Sequence, residues 1–305
     1  MSAPRDVLLA LRQTIVGQDE VVESLVLTLV AGGHLLLEGV PGVAKTLACR
    51  ALAAALGGVF RRVQFTPDLL PSDIIGTRVF DQQSATFSTV FGPLFANVVL
   101  ADEINRAPAK VQSALLEGMQ ERRATIGLET YALPAPFLVL ATMNPYDAEG
   151  TYPLPLAQLD RFLAKVVVAY PSRDEERAIV DRFGIGEPPL PAGVAAPADV
   201  LRWRQEARAV FLDPQLRDYA IDIVRASRSA PFVAHGASPR AALALVMLAR
   251  ARAYLENRAF VNPDDVRDVA PAVLRHRLAY DDRIAVEGTD PDEIVRRIVA
   301  AVRAP

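Results

Sequence analysis

The chain has 305 residues, 51% of them hydrophobic, which is enough for two domains, or three, each with its own core. Its 33 Lys+Arg stand against 36 Asp+Glu for a formal net charge of −3, and no basic stretch supplies the electrostatic footprint of a bulk nucleic-acid binder. The single cysteine, Cys49, excludes an internal disulfide and a cysteine-based metal site, and reads as a small apolar helix residue; His34, His235 and His276 are scattered without ligand spacing. Residues 1–6 show no basic region leading into an apolar core, and the apolar stretches are too short or too interrupted to span a bilayer. A soluble, cytoplasmic chain with no membrane segment is therefore expected.

In chain order, residues 34–37 form a short apolar run that reads as a strand, and residues 46–56 are rich in Ala and Leu, both strong helix formers. Between them stands Gly39-Val40-Pro41-Gly42-Val43-Ala44-Lys45-Thr46, which matches G-x-x-x-x-G-K-[ST] at all but one position. A strand, a glycine loop and a helix N-terminus are the context in which backbone N–H groups turn onto phosphate oxygens and the helix adds its partial positive charge. One of the three lysines in the chain occupies the motif's lysine position. Gly39, Pro41, Gly42, Val43, Ala44, Lys45, Thr46 and Leu47 are thus the expected nucleotide-binding loop. Lys45 would reach the β- and γ-phosphates and the Thr46 hydroxyl would hold Mg²⁺, so ATP and Mg²⁺ are the expected cofactors. Ala44 departs from the motif's last glycine, and its methyl group is tolerable if that position has helical dihedrals.

Short β-branched or apolar runs follow at 60–65, 98–102, 137–143 and 164–168, separated by helical segments, which predicts βαβ units and a parallel sheet. Two insertions interrupt the pattern. Residues 81–91, rich in Ser, Thr and Gln, read as an irregular loop; residues 121–136 contain two short runs around a turn and read as a β-hairpin. Each is either a tolerated surface loop or a partner-binding element. Gly and Pro dominate 183–193, as in a linker. Beyond it, 200–210, 214–227, 239–257 and 263–278 read as helices, with Val266, Val269, Val273 and Leu274 at helical spacing. The expected fold is an α/β P-loop NTPase core with a parallel sheet, residues 1–188, plus a small all-α lid domain, residues 189–305.

The run Val98-Val99-Leu100-Ala101 ends in Asp102 and Glu103. A buried strand would carry Asp102 beside the loop, where it can hold Mg²⁺ with Thr46, while Glu103 polarises the attacking water. Asn144, at the end of the next strand, is either a sensor of the γ-phosphate or part of an Asn-Pro turn. Arg161 is either a surface ion pair or an arginine finger. Ser238-Pro239-Arg240 opens a helix, and Arg240 would then face a cleft between domains.

Taken together, Gly17-Gln18-Asp19, the loop at 39–46, Val98–Pro108, Ala141–Pro145, Leu159–Phe162 and Ala237–Ala241 make the chain resemble a MoxR-type AAA+ ATPase over nearly its whole length. An alanine at position 44 is usual in that family. The resemblance implies a hexameric ring with ATP between subunits, adenine near Val16 and Gly17, Arg161 acting across the interface and Arg240 as a second sensor. It also implies an insert and a hairpin where the two insertions lie, a chaperone role in metalloenzyme maturation, a client complex, and a partner carrying a von Willebrand factor A domain. The rival readings are a chelatase-like motor subunit, a nucleic-acid motor and a nucleotide-gated scaffold with little turnover. The charge balance argues against the second, and Glu103 with Arg161 against the third.

Overall fold

A computed structural model describes all residues except 1, 41, 145–150, 185, 187, 192, 283 and 285–287. Pro41 of the glycine loop, Pro145 after Asn144, and parts of the expected linker therefore lie outside the described residues. The chain forms two compact units: Met1–Leu25 with His34–Leu154 and Val166–Leu201, and Val26–Gly33 with Pro155–Lys165 and Arg202–Pro305. The stretch around Ala195 belongs to the first because Val194 and Ala195 donate their N–H groups to Ala55 O, at 2.7 and 3.0 Å.

The first unit is built on a five-stranded sheet of β1 (Leu35–Gly39), β2 (Phe60–Gln64), β5 (Val98–Asp102), β8 (Leu138–Met143) and β9 (Ala164–Val168), in the order β2-β5-β8-β1-β9. The pairings β2–β5, β5–β8 and β1–β8 are parallel. All five residues of β5 are buried and only Met143 of β8 is partly open, the continuous apolarity of strands covered on both faces. Parallel order brings the strand ends Gly39, Gln64, Asp102 and Met143 to one edge of the sheet, where ligands bind in folds of this class. Helix α1 (Pro4–Thr14) packs on α3 (Lys45–Leu56), whose buried side includes Cys49. Burial pushes the Cys49 thiol pKa up, so this side chain is an inert apolar filler. His34 is also structural: Val139 N–H donates to its Nδ1 at 2.9 Å and its Nε2 bonds Met119 O at 3.1 Å.

The insertion at 81–91 differs from its expected irregular form. Strands β3 (Gly76–Asp81) and β4 (Thr86–Phe91) pair antiparallel over six residues, and the Ser, Thr and Gln residues supply the turn and Thr86, Ser88 and Thr89 of β4. The second insertion does form a hairpin, β6 (Arg123–Ile126) with β7 (Glu129–Ala132).

The second unit is helical, with α9 (Pro214–Ala226), α10 (Pro239–Leu255), α11 (Pro263–Leu274) and a last described helix, Pro291–Ala300. Each of the four begins by one rule. Asp213, Ser238, Asn262 and Asp290 are N-caps whose side chains accept from the N–H of Gln215, Arg240, Asp265 and Asp292, and each is followed by a proline whose missing N–H costs nothing there. Val266, Val269, Val273 and Leu274 are all buried, as are Trp203 and Ile223 of the same unit. The unit also holds a two-stranded antiparallel ribbon not legible as strands, β10 (Val233–His235) with β11 (Ala279–Tyr280). No helix among the described residues is long and apolar enough to cross a membrane.

Candidate active site

The glycine loop connects the end of β1 to the start of α3, and two glycines are required there for different reasons. A Cβ on Gly39 would stand 2.5 Å from Val168 O, so only glycine lets β1 end this close to β9. Gly42 has open space around it but a φ of +86°, which strains any L side chain. Ala44 differs from its expected helical dihedrals: φ is 61° and ψ 16°, in the left-handed region, immediately before α3. The methyl is therefore accommodated at a backbone cost of about 1 kcal/mol rather than avoided. Val43 is buried beneath the loop. Lys45 Nζ donates to Gly39 O, so the ammonium group lies back across the loop. The first N–H groups of the 12-residue α3 have no partner within the helix and supply an anion-binding end.

A cavity of about 340 Å³ opens above this loop, lined by Gly42, Ala44, Lys45, Thr46, Leu47, Asp102, Glu103, Thr142 and Asn144. Residues from three chain segments, 42–47, 102–103 and 142–144, converge on it because β5, β8 and β1 lie side by side and end together. Val16 and Gly17 are not in this lining; they sit between α1 and α2 (Asp19–Ala31), where Gly17 has a φ of +69° and its α-carbon faces the Glu175 side chain.

The two acids are held by partners that the motifs did not identify. The Thr142 hydroxyl donates to Asp102 Oδ1 at 2.6 Å and accepts the Glu103 N–H at 2.8 Å. Arg62 donates to Asp102 Oδ2 from Nη2 at 2.7 Å and Nε at 3.1 Å. Glu103, with a φ of 57°, turns off the line of β5, and its Oε2 accepts from Gln64 Nε2 at 2.7 Å and pairs with Arg106 Nε at 3.2 Å. Arg106 is thus engaged beside Glu103 in the same chain. Arg62 and Gln64 share a face of β2 by the two-residue strand period, and Gln64 stands in register with Asp102. That adjacency was invisible without the strand order.

Arg161 and Arg240 belong to the second unit. Arg161 is exposed just after α6 (Leu156–Leu159), and its guanidinium has no hydrogen-bond or ion-pair partner among the described residues. Its neighbour Asp160 joins the two motifs: Oδ2 accepts the Ser238 hydroxyl at 2.9 Å and lies 3.8 Å from Arg240 Nη1, while Oδ1 accepts Arg277 Nε at 2.8 Å. Arg277 is buried and also donates to the Phe162, Leu163 and Val273 carbonyls. Burial lowers its pKa, and Asp160 opposes that shift. His276 beside it is held neutral, first by burial and then by the Arg277 charge, with Nε2 on Phe162 O. No cluster of three metal-ligating side chains of the His, Cys, Asp and Glu type occurs among the described residues.

Residues 34–164 match the model of the ATPase family associated with various cellular activities (AAA), and residues 225–298 match the AAA lid domain. The chain is 48% identical over 303 residues to Chaperone MoxR1 of Mycobacterium tuberculosis, covering 96% of this chain and 80% of that one. It is 42% identical over 299 residues to YeaC of Bacillus subtilis, covering 97% and 92%, and 33% identical over 321 residues to Protein MoxR of Paracoccus denitrificans, covering 92% and 90%. A crystal structure of a Cytophaga hutchinsonii protein superposes with a TM-score of 0.90 at 42% identity, covering 98% of this chain and 94% of that one.

The left-handed Ala44 yields a stability prediction. Glycine has no steric penalty there but loses more freedom on folding, so Ala44→Gly should stabilise the fold by about 0.5–1 kcal/mol, read from urea unfolding. Destabilisation would show that the φ of 61° is not maintained in solution.

Proposed function

Since the chain belongs to the MoxR-type AAA+ ATPases, with a P-loop core and a helical lid, we propose that it binds ATP with Mg²⁺ and hydrolyses it to remodel a client protein complex. The observation that carries this reading is the convergence of Lys45, Thr46, Asp102, Glu103 and Asn144 on one cavity at the carboxyl edge of the sheet. Its volume falls within the range of small-molecule sites, and its donor set suits a polyphosphate: an ammonium, a helix N-terminus and a hydroxyl facing two carboxylates. Gly39, Gly42, Val43, Ala44 and Leu47 shape the loop, and Val16 and Gly17 would border the adenine. Thr46 and Asp102 are the residues that would hold Mg²⁺, and a bound Mg²⁺ would neutralise charge on phosphate oxygens.

In this mechanism Lys45 binds and orients the phosphates. Glu103 accepts the proton of the attacking water. Thr142, fixed between both acids, keeps Glu103 beside Asp102. Asn144 orients the water or senses the γ-phosphate. Arg161, exposed at the end of its motif, acts as a finger on a neighbouring subunit's site in a hexameric ring, and Arg240 is the second sensor. The ring works in the cytoplasm.

The proposed work is maturation of a client, including metal-cofactor insertion, together with a partner carrying a von Willebrand factor A domain. Val79, Phe80, Phe87, Val90 and Phe91 on the first hairpin and Leu128 at the tip of the second are large apolar side chains left exposed, which supports a binding role for both. The chelatase-like and nucleic-acid readings have no such specific support here.

Complementation tests the catalytic assignment. Glu103→Gln and Arg161→Ala should each bind ATP yet lose at least about a hundredfold in turnover, because a general base and a finger act in the transition state. Mixed together, they should recover part of the activity, since one interface then pairs an intact Glu103 with an intact Arg161. Wild-type turnover by either variant removes its role; no recovery despite verified co-assembly removes action in trans.

The partner assignment is tested by capture. The ATP-holding Glu103→Gln variant should enrich a von Willebrand factor A protein over a Lys45→Ala variant, and removing the 76–91 hairpin should weaken that enrichment while ATP binding persists. Equal recovery by both variants would contradict nucleotide-dependent remodelling.

A further inference from the structure

Asp102 is the carboxylate that the ATP reading assigns to the metal, and both of its oxygens have protein partners. On Oδ1 the partner is the neutral Thr142 hydroxyl at 2.6 Å, which leaves the carboxylate's charge intact. On Oδ2 it is the Arg62 guanidinium, through two N–H groups at 2.7 and 3.1 Å. A guanidinium and a divalent cation are drawn to one oxygen for the same reason and repel each other when both are near it.

The setting of Arg62 suits a group that leaves. It lies on β2, the edge strand, and its side chain is 51% exposed while that of Asp102 is 12% exposed. Swinging outward takes the guanidinium into water at little desolvation cost, whereas Asp102 stays at the end of a buried strand. The fork's other acceptor is Gln64 Oε1 at 3.0 Å, also on the exposed face of β2. A purely structural clamp between β2 and β5 is not needed, because these strands already pair in parallel from Phe60↔Val98 to Gln64↔Asp102.

We propose that Arg62 is a positioning residue displaced by the metal: it holds the Asp102 carboxylate in line with its own charge and must give up Oδ2 before a divalent cation can take it. This rests on the reading of the 39–47 loop and Asp102 as an ATP–Mg²⁺ site. Two opposite effects follow. Removing Arg62 frees Oδ2 and strengthens Mg²⁺ binding. It also leaves Asp102 uncompensated next to the phosphate loop, which weakens nucleotide binding in the absence of metal.

The test is calorimetry on the full-length protein with the non-hydrolysable analogue AMP-PNP. Mg²⁺ is titrated into the protein–analogue mixture, and the analogue alone is titrated in EDTA. For a half-exposed pair the expected changes in Arg62→Ala are about two- to fivefold: tighter Mg²⁺, weaker metal-free analogue. Arg62→Lys, which keeps the charge without the fork, should lie nearer the wild type on both. Opposite signs in Arg62→Ala support the proposal, since general damage to the site weakens both. Both constants weakened, or both unchanged, overturn it while leaving the ATP site standing, because the wild type still binds the analogue. Absence of analogue binding by the wild type would overturn the ATP reading and the Arg62 proposal with it.

Discussion

The Thr142 hydroxyl stands between the two acids on which the candidate chemistry depends. It donates to Asp102 and accepts from the Glu103 backbone, so one small side chain at the end of β8 sets both the carboxylate of one residue and the turn of the next. This works because β5 and β8 are parallel and in register from Val98↔Leu138 to Ala101↔Ala141, which carries Asp102 and Thr142 to the same level. Burial alone would tolerate a slip along the apolar Val98–Ala101, but the strand closes in Asp102, and a slip of one residue would take that carboxylate away from the Thr142 hydroxyl. Glycine at position 39 serves the same edge of the sheet by letting β1 reach it beside Val168.

Electrostatics at this edge are balanced locally. Asp102 meets Arg62, and Glu103 meets Arg106, with each arginine side chain about half exposed. Pairs of that kind contribute little to stability, typically under about 1 kcal/mol, because water competes for both partners. Their role is better understood as orientation at modest energy, which a more strongly charged ligand can override. The contrast is Asp160 with Arg277, where a buried guanidinium satisfies a carboxylate and four backbone carbonyls. Removing one member of such a network leaves an uncompensated charge, so that arrangement is a fixed one.

The parts of the molecule that were legible in the sequence are those in which local chemistry dictates residue type. The phosphate loop needs glycines, a lysine and a threonine at set spacing, and Val98–Asp102 needs an apolar run closing in acids. Four helices of the second unit announce themselves by a capping side chain followed by proline. What was not legible depends on neighbours distant in sequence. Arg62 and Gln64 acquire meaning only once β2 is placed beside β5, and Asp160 meets Arg277 across 117 residues. The β3–β4 hairpin carries no strand signal in its sequence because it is exposed on both faces, so burial imposes no clean alternation on it. The left-handed backbone of Ala44 leaves no mark in the sequence because its cost is small enough for the surrounding loop to absorb.

The proposed function depends on the loop between β1 and α3 binding the phosphates of ATP through Lys45. Calorimetric titration of ATP with Mg²⁺ into the wild-type protein and Lys45→Ala tests it most directly. Saturable binding by the wild type and a loss of at least about tenfold in affinity for the variant are expected, in keeping with removal of a charge-assisted contact. Equal affinity of the two proteins would contradict it, because the ammonium group would then have no part in holding the nucleotide.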